Sequence, residues 1–157
     1  MSLHPQDPPP PIPPVTITYT VNAVEFRNRT RVIVPCTLAA PATISGHDPN
    51  IELVQGTGFS STVRIKKRDD GKAVVFSIAV QQFNHRRLHP TGIILRKGNV
   101  ISPDSFVGAW KVTGPDGHSL LILSDNASVT SDFEFDLLIR DDNGSNYGLL
   151  DPRLTNS

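Results

Sequence analysis

Proline and glycine recur at short intervals along almost the whole chain. The 157 residues include 14 prolines and 11 glycines, and no long segment shows the periodicity of an amphipathic helix. Proline removes a backbone donor and clashes with the preceding turn of a helix, while glycine weakens a helix through its backbone freedom. Short strands joined by turns fit this spacing, so the sequence predicts an all-β protein.

Alternation of apolar and polar residues marks the strands themselves. In residues 15–21 every odd position is apolar and every even position is threonine, which is typical of a half-buried strand. Residues 73–80 and 120–123 are largely apolar on both faces, as expected for strands at the centre of two packed sheets. About eight to ten short strands of this kind predict an antiparallel two-sheet β-sandwich.

Turn residues predict which strands pair. The Asp-Asp-Gly turn at residues 69–71 predicts a hairpin between the strands at residues 61–66 and 73–80. Gly-Pro-Asp-Gly at residues 114–117 predicts a second hairpin, and Asp-Asn-Gly at residues 142–144 predicts a third. Each turn supplies a glycine, which accepts the positive φ angles of a tight turn.

Proline-rich composition separates the first residues from the rest. Positions 7–14 contain six prolines, so residues 1–14 are predicted to form a proline-rich N-terminal tail and residues 15–157 a single β-sandwich domain. The tail is interpreted either as a stiff spacer or as a ligand for an aromatic-lined groove. Pro35 and Pro152 are each predicted to end a strand, because proline cannot continue the hydrogen-bond ladder.

Net charge and cysteine content limit the compartment and the partners. The 15 basic and 15 acidic residues cancel, so no overall field draws the protein to nucleic acid or to an anionic membrane. Cys36 is the only cysteine, and its apolar surroundings predict a buried, inert thiol. We find neither a signal peptide nor an apolar stretch of about 20 residues. These features together predict a cytoplasmic protein with no membrane partner.

The densest polar cluster consists of His85, Arg86, Arg87 and His89, followed by Pro90. Pro90 and the apolar strands on both sides indicate a loop, so we interpret the cluster as a basic surface loop and a tentative binding loop. Two histidines at this spacing would also suit a metal ion, although zinc needs three or four ligands. A metal-binding protein or an enzyme that uses His85 and His89 with a nearby carboxylate therefore remains the alternative.

Acidic residues collect in the last third of the chain. Asp132, Glu134 and Asp136 alternate with apolar residues, a pattern that predicts one strand with a solvated acidic face. A calcium site or an acid–base pair could use the same carboxylates. Residues 141–145 lack the acidic spacing of a calcium loop, so we interpret them as a hairpin turn.

Basic residues form further clusters at residues 66–68, 86–87 and 96–97. Together they could make one positive patch that contacts phosphate groups. Nucleic-acid platforms stack bases on exposed aromatic residues, and only Phe83 lies near these clusters. Nucleic-acid binding is therefore disfavoured.

No nucleophile or phosphate-binding motif is complete. Residues 58–62 lack the second glycine of a nucleophile elbow. The glycines of residues 55–59 are better explained by a tight bend than by a phosphate-binding loop. We therefore predict no catalytic residues and no cofactor.

The C-terminal stretch of residues 133–156, in which a strand hairpin runs into Asp151-Pro152 and then Asn156, resembles the end of the small bacterial DP-EP family. Residues 119–126 resemble the same family. The resemblance implies a compact β-sandwich of the immunoglobulin type. It implies no particular activity.

These observations favour a non-enzymatic domain that binds a protein partner or associates with itself. No catalytic motif is complete, and exposed edge strands are natural sites for strand addition. The loops at residues 46–50, 82–90 and 141–146 are the predicted places of contact.

Overall fold

Twelve strands make up the described part of the chain. The structure, a computed structural model, describes residues 11–22, 33–84, 86–95, 106–114, 117–125, 131–133, 135–141 and 147–155. The strands are β1 (Thr16–Val21), β2 (Ile33–Leu38), β3 (Thr43–Ser45), β4 (Ile51–Gln55), β5 (Ser61–Ile65), β6 (Val74–Gln82), β7 (Arg87–Leu95), β8 (Phe106–Thr113), β9 (Ser119–Asp125), β10 (Ser131–Phe133), β11 (Phe135–Arg140) and β12 (Tyr147–Thr155). The prediction of an all-β protein is confirmed. Among these residues there is no helix, and so none that could span a membrane.

Six of the strands close into a barrel. The order is β1, β2, β12, β11, β7 and β6, and β6 returns to pair with β1. The β1–β6 and β2–β12 pairs are parallel, and the other four neighbouring pairs are antiparallel. The predicted antiparallel, immunoglobulin-like sandwich of two sheets is therefore wrong. Alternation shows which side chains are buried, but a sandwich and a barrel bury them with the same period.

The remaining strands are attached to this ring. β3 pairs with the first half of β1, and the hairpin of β8 and β9 extends outward from β6. A separate three-stranded sheet has the order β10, β5 and β4. Its residues Ile51, Val63 and Ile65 belong to the same buried cluster as the barrel interior, so both sheets share one core.

Side chains fill the barrel interior. The six ring strands contribute Ile17, Tyr19, Val21, Cys36, Leu38, Val74, Phe76, Ile78, Val80, Leu88, Phe135, Leu137, Ile139 and Leu150 to the core cluster. Tyr19 and Phe135 meet edge to face, with ring centroids 6.3 Å apart and an interplanar angle of 84°. A six-stranded ring is narrow enough for such side chains to occupy it.

Two of the three predicted hairpins pair as expected, but the third predicted turn joins strands of different sheets. β8 pairs with β9 and β11 pairs with β12, as predicted. The turn before Gly71 is also present, since its N–H donates to the carbonyl of Arg68 at 3.2 Å. However, β5 pairs with β4 and β10 while β6 pairs within the ring and with β9. The predicted β5–β6 hairpin is wrong because a turn reverses the chain without fixing which edge the next strand joins.

Both prolines predicted to end strands lie inside strands. Pro35 is within β2, and β1 pairs with β2 only at Leu38. One edge of the first half of β2 therefore has no described partner strand, and proline is tolerated at such edges. Pro152 is within β12, where the register shifts between Leu150 and Thr155. An irregular ladder does not need the donor that proline lacks.

The prediction of a buried Cys36 is confirmed. The thiol lies in the core cluster, and burial raises its pKa to about 11. The thiolate is the reactive form of cysteine, so this environment keeps Cys36 inert in the folded protein.

Gly46 holds β3 against the start of the barrel. Its φ is +83°, and a Cβ atom there would overlap the carbonyl oxygen of Pro14. Gly71 has a similar φ of +72° but nothing within 4 Å of the same position. The two glycines share a backbone conformation and differ in the space around them.

We expect Gly46→Ala to lower the free energy of unfolding by about 2–4 kcal/mol, because it adds a clash to the strain of a positive φ. Gly71→Ala should cost about 1 kcal/mol, from the strain alone. Urea denaturation of both variants measures the difference. Equal losses would show that the contact with Pro14 does not matter.

Tyr19 makes stability depend on pH in alkaline solution. Burial disfavours the phenolate and raises the pKa of Tyr19 well above its usual range. The folded state therefore retains the proton that the unfolded state loses near pH 10. The contribution of Tyr19 to the free energy of unfolding is therefore fully present below that pH. It falls as the pH rises further, by up to about 1.4 kcal/mol per pH unit.

Tyr19→Phe should remove the part of the alkaline slope that begins near pH 10, because the ring is kept and the ionisable group is lost. The slope from Cys36, whose buried thiol has a pKa of about 11, should remain. Tyr147→Phe is the matched control, since Tyr147 is the other tyrosine and lies at the surface. The measurement is the free energy of unfolding between pH 9 and 11. A slope between pH 10 and 11 that is as steep in Tyr19→Phe as in the wild type would contradict the assignment to Tyr19.

Candidate functional site

A fork in the sheet creates the candidate site. One edge of β6 pairs with β9 from Val74 to Ile78, and then with β7 at Val80 and Gln81. Beyond this change of partner, β7 follows β11 around the barrel while the β8–β9 hairpin extends away from it.

The fork brings the starts of β7 and β9 together. Nδ1 of His89 and Oγ of Ser119 are 2.5 Å apart, although the two residues are 30 positions apart in the chain. His89 lies in β7, and Ser119 is the first residue of β9. This hydrogen bond ties the hairpin to the barrel wall.

One histidine and one arginine face outward from the barrel wall beside the fork. His89 of β7 lies directly opposite Arg140 of β11, and side chains of directly opposed residues share a face. Their chain neighbours Leu88 and Ile139 point into the core. Since side chains alternate along a strand, His89 and Arg140 project from the outer surface.

The hairpin contributes a second set of polar side chains. Thr113 of β8 is opposite Ser119 of β9, and Lys111 is opposite Leu121. Alternation puts all four on one face of the hairpin, and Leu121 belongs to the core. Lys111, Thr113 and Ser119 therefore project on the side of the hairpin that faces the barrel.

A cleft of about 260 Å³ lies between these two surfaces. We call it the fork cleft; its polar lining consists of His89, Thr91, Lys111, Thr113, Ser119 and Arg140. The described lining thus holds two permanent cations, an imidazole and three hydroxyl groups, and it includes no carboxylate.

The cations of the fork cleft lack ion-pair partners within the described part of the chain. No carboxylate there pairs with Lys111 or Arg140. Nε of Arg140 is also shielded from solvent and has no hydrogen-bond partner among the described residues. A buried donor without a partner costs about 1–3 kcal/mol, so this nitrogen is a place where a bound acceptor would be stabilised.

Several basic residues elsewhere on the described surface are paired with carboxylates. Arg68 pairs with Asp70 at 3.0 Å and approaches Asp48 at 3.9 Å, and Lys66 lies 3.6 Å from Glu52. The guanidinium of Arg68 holds the pKa of Asp70 at about 2. Two members of the predicted basic patch at residues 66–68 are therefore already paired, and residues 96–97 lie outside the described residues.

The predicted binding loop is divided by the structure. Arg86 is exposed in the turn before β7, and Arg87 begins β7 and lines a different cleft beside Ile12 and His118. His89 lies within β7, and it alone of the described members of the predicted cluster lines the fork cleft. His85 lies outside the described residues.

The predicted acidic strand is also divided. Asp132 is in β10 of the small sheet, whereas Asp136 is in β11 of the barrel. Glu134 lies outside the described residues. Asp136 is only 8% exposed, so the predicted solvated face is wrong at this position.

The described residues bring together no group of three or more histidine, cysteine, aspartate or glutamate side chains that could hold a metal ion. The fork cleft offers hydrogen-bond donors and positive charge instead, which are the groups that bind oxyanions. Its serine–imidazole contact is a pair that also occurs in many nucleophilic centres.

Sequence reasoning missed Lys111, Ser119 and Arg140. Each is a polar residue at or near the end of a largely apolar strand, where solubility alone explains it. Only the pairing of β7 with β11 and the placement of the β8–β9 hairpin bring the three together. A local motif could not have identified them.

Comparison with known proteins gives a distant structural likeness. A scan of protein-family models and a search of curated proteins found no match. The crystal structure of the inclusion body protein PixA from Burkholderia cenocepacia J2315 is similar with a TM-score of 0.44 and 12% identity, over 94% of this chain and 96% of that chain. At this score the likeness supports no argument about function. The resemblance to the DP-EP family stays a prediction.

Proposed function

We propose that this barrel is a non-enzymatic binding module that takes an anionic group in the fork cleft. The observation that supports it is the pair of cations, Lys111 and Arg140, that line the cleft without a described carboxylate partner. Elsewhere on the described surface, Lys66 and Arg68 are paired with acidic residues.

The groups around the cleft suit an oxyanion such as a carboxylate or a sulfate. The guanidinium of Arg140 is planar and always charged, so it can donate two parallel hydrogen bonds to one anion. Lys111 adds a point charge from the opposite wall, and the hydroxyl of Ser119 adds a neutral donor. Hydrogen bonds to charged groups contribute about 1.5–3 kcal/mol each.

We expect sulfate and acetate to bind to the wild-type protein and to bind about 10- to 100-fold more weakly to Arg140→Gln, because one charge-assisted contact is lost. Chemical-shift titration at low ionic strength measures both Kd values and identifies the residues affected. Arg68→Gln is the matched control and should bind as the wild type does. Unchanged binding in Arg140→Gln would contradict the proposal.

Self-association is a second candidate, supported by the edge of β8. In the described part of the chain β8 pairs only with β9. The N–H of Gly114 donates to the carbonyl of His118, and antiparallel ladder bonds alternate. The backbone groups of Ala109 and Lys111 therefore point away from β9 and could pair with another strand, including β8 of a second copy.

Light scattering coupled to size-exclusion chromatography tests this second candidate. A dimer that forms with rising concentration should be lost in Ala109→Pro, since proline removes a donor from the outer edge of β8. Circular dichroism checks that the variant is folded. A monomer at all concentrations would remove self-association from consideration.

A further inference from the structure

A row of four side chains leads from the fork cleft across the outer wall of the barrel. His89 is opposite Arg140, Arg140 is opposite Tyr147, and Tyr147 is opposite Ile33. The four residues belong to β7, β11, β12 and β2, which are successive strands of the ring. Directly opposed residues share a face, so the whole row lies on the outside.

The chemistry of the row changes from polar to apolar. His89 and Arg140 line the fork cleft, whereas Tyr147 is 39% exposed and Ile33 is 56% exposed. Adjacent strands are about 4.8 Å apart, so the apolar end begins one strand beyond Arg140 and extends to about 10 Å from it. Exposed apolar side chains that adjoin a cationic cleft indicate a surface for a ligand with both an anionic group and an apolar group.

We propose that the ligand is a small amphipathic carboxylate, with its anionic head in the fork cleft and its apolar body across Tyr147 and Ile33. This inference rests on the proposed anion-binding function and names the class of ligand. The cleft volume of about 260 Å³ admits a head group and not a folded domain. The distance from Arg140 to Ile33, about two strand spacings, suits a medium-length alkyl chain or a flat ring system.

The two halves of the ligand require different residues of the protein. The head needs the cations, since a carboxylate is bound by guanidinium and ammonium groups. The body needs the apolar pair, since burial of apolar area drives its contact with Tyr147 and Ile33. A ligand that lacks either half should therefore bind more weakly than one that has both.

Calorimetry with butyrate, octanoate below its micelle concentration, and octan-1-ol tests the inference on the full chain. We expect octanoate to bind about ten-fold or more tightly than butyrate, because four further methylene groups reach the apolar pair. Octan-1-ol, which has the body without the charge, should bind more weakly than octanoate. Arg140→Gln should weaken both carboxylates.

The double variant Ile33→Thr with Tyr147→Thr removes the apolar pair and keeps residues that favour strands. It should reduce octanoate binding to the level of butyrate while butyrate binding stays as in the wild type. Ile44→Thr is the matched control, because Ile44 is 39% exposed on β3, which is outside the row. It should leave both affinities unchanged.

The possible results separate the two proposals. Equal affinity for butyrate and octanoate, with both dependent on Arg140, would overturn the amphipathic ligand and leave the anion site in place. Equal affinity for octanoate and octan-1-ol would overturn the role of the cationic cleft. The absence of all binding would overturn the proposed function as well.

Discussion

The parallel pairing of β1 with β6 is the contact on which the rest of the structure depends. It joins residues as distant in the chain as Thr16 and Ser77, and the pairing runs along the whole of β1. The contact turns an open sheet into a ring, so the strands of that ring have few edges exposed to other chains. Ser77 strengthens the contact, because its hydroxyl hydrogen-bonds to Thr16 at 2.8 Å and to the carbonyl of Val15 at 3.2 Å.

Closure of a ring this small also decides where a ligand can bind. The interior is occupied by large side chains such as Tyr19 and Phe135, which contact each other across the barrel. The described side chains of the ring thus occupy the inside of the barrel. The proposed ligand is therefore placed on the outer wall, at the fork where β9 and β7 share the edge of β6.

The residues of the candidate site lie far apart in the chain, so local sequence patterns identify few of them. The sequence identifies His89 because it belongs to a dense polar cluster, but Arg86 and Arg87 of that cluster do not line the cleft. Its partners Ser119 and Arg140 lie on other strands and carry no sequence signal of their own. Cross-strand register selects them, and register follows from which edges meet rather than from the alternation within each strand.

The sequence by itself determined that the chain forms strands, and it determined the buried face of strands such as β1, because side-chain alternation acts over a few residues. It predicted the buried Cys36 and the alternating face of β1 correctly. Only the tertiary structure decided that the sheet closes, that β5 and β6 part after the turn at Gly71, and that β12 continues past Pro152. Those outcomes depend on pairings between residues that are distant in the chain. Local sequence patterns do not predict the energies of such pairings.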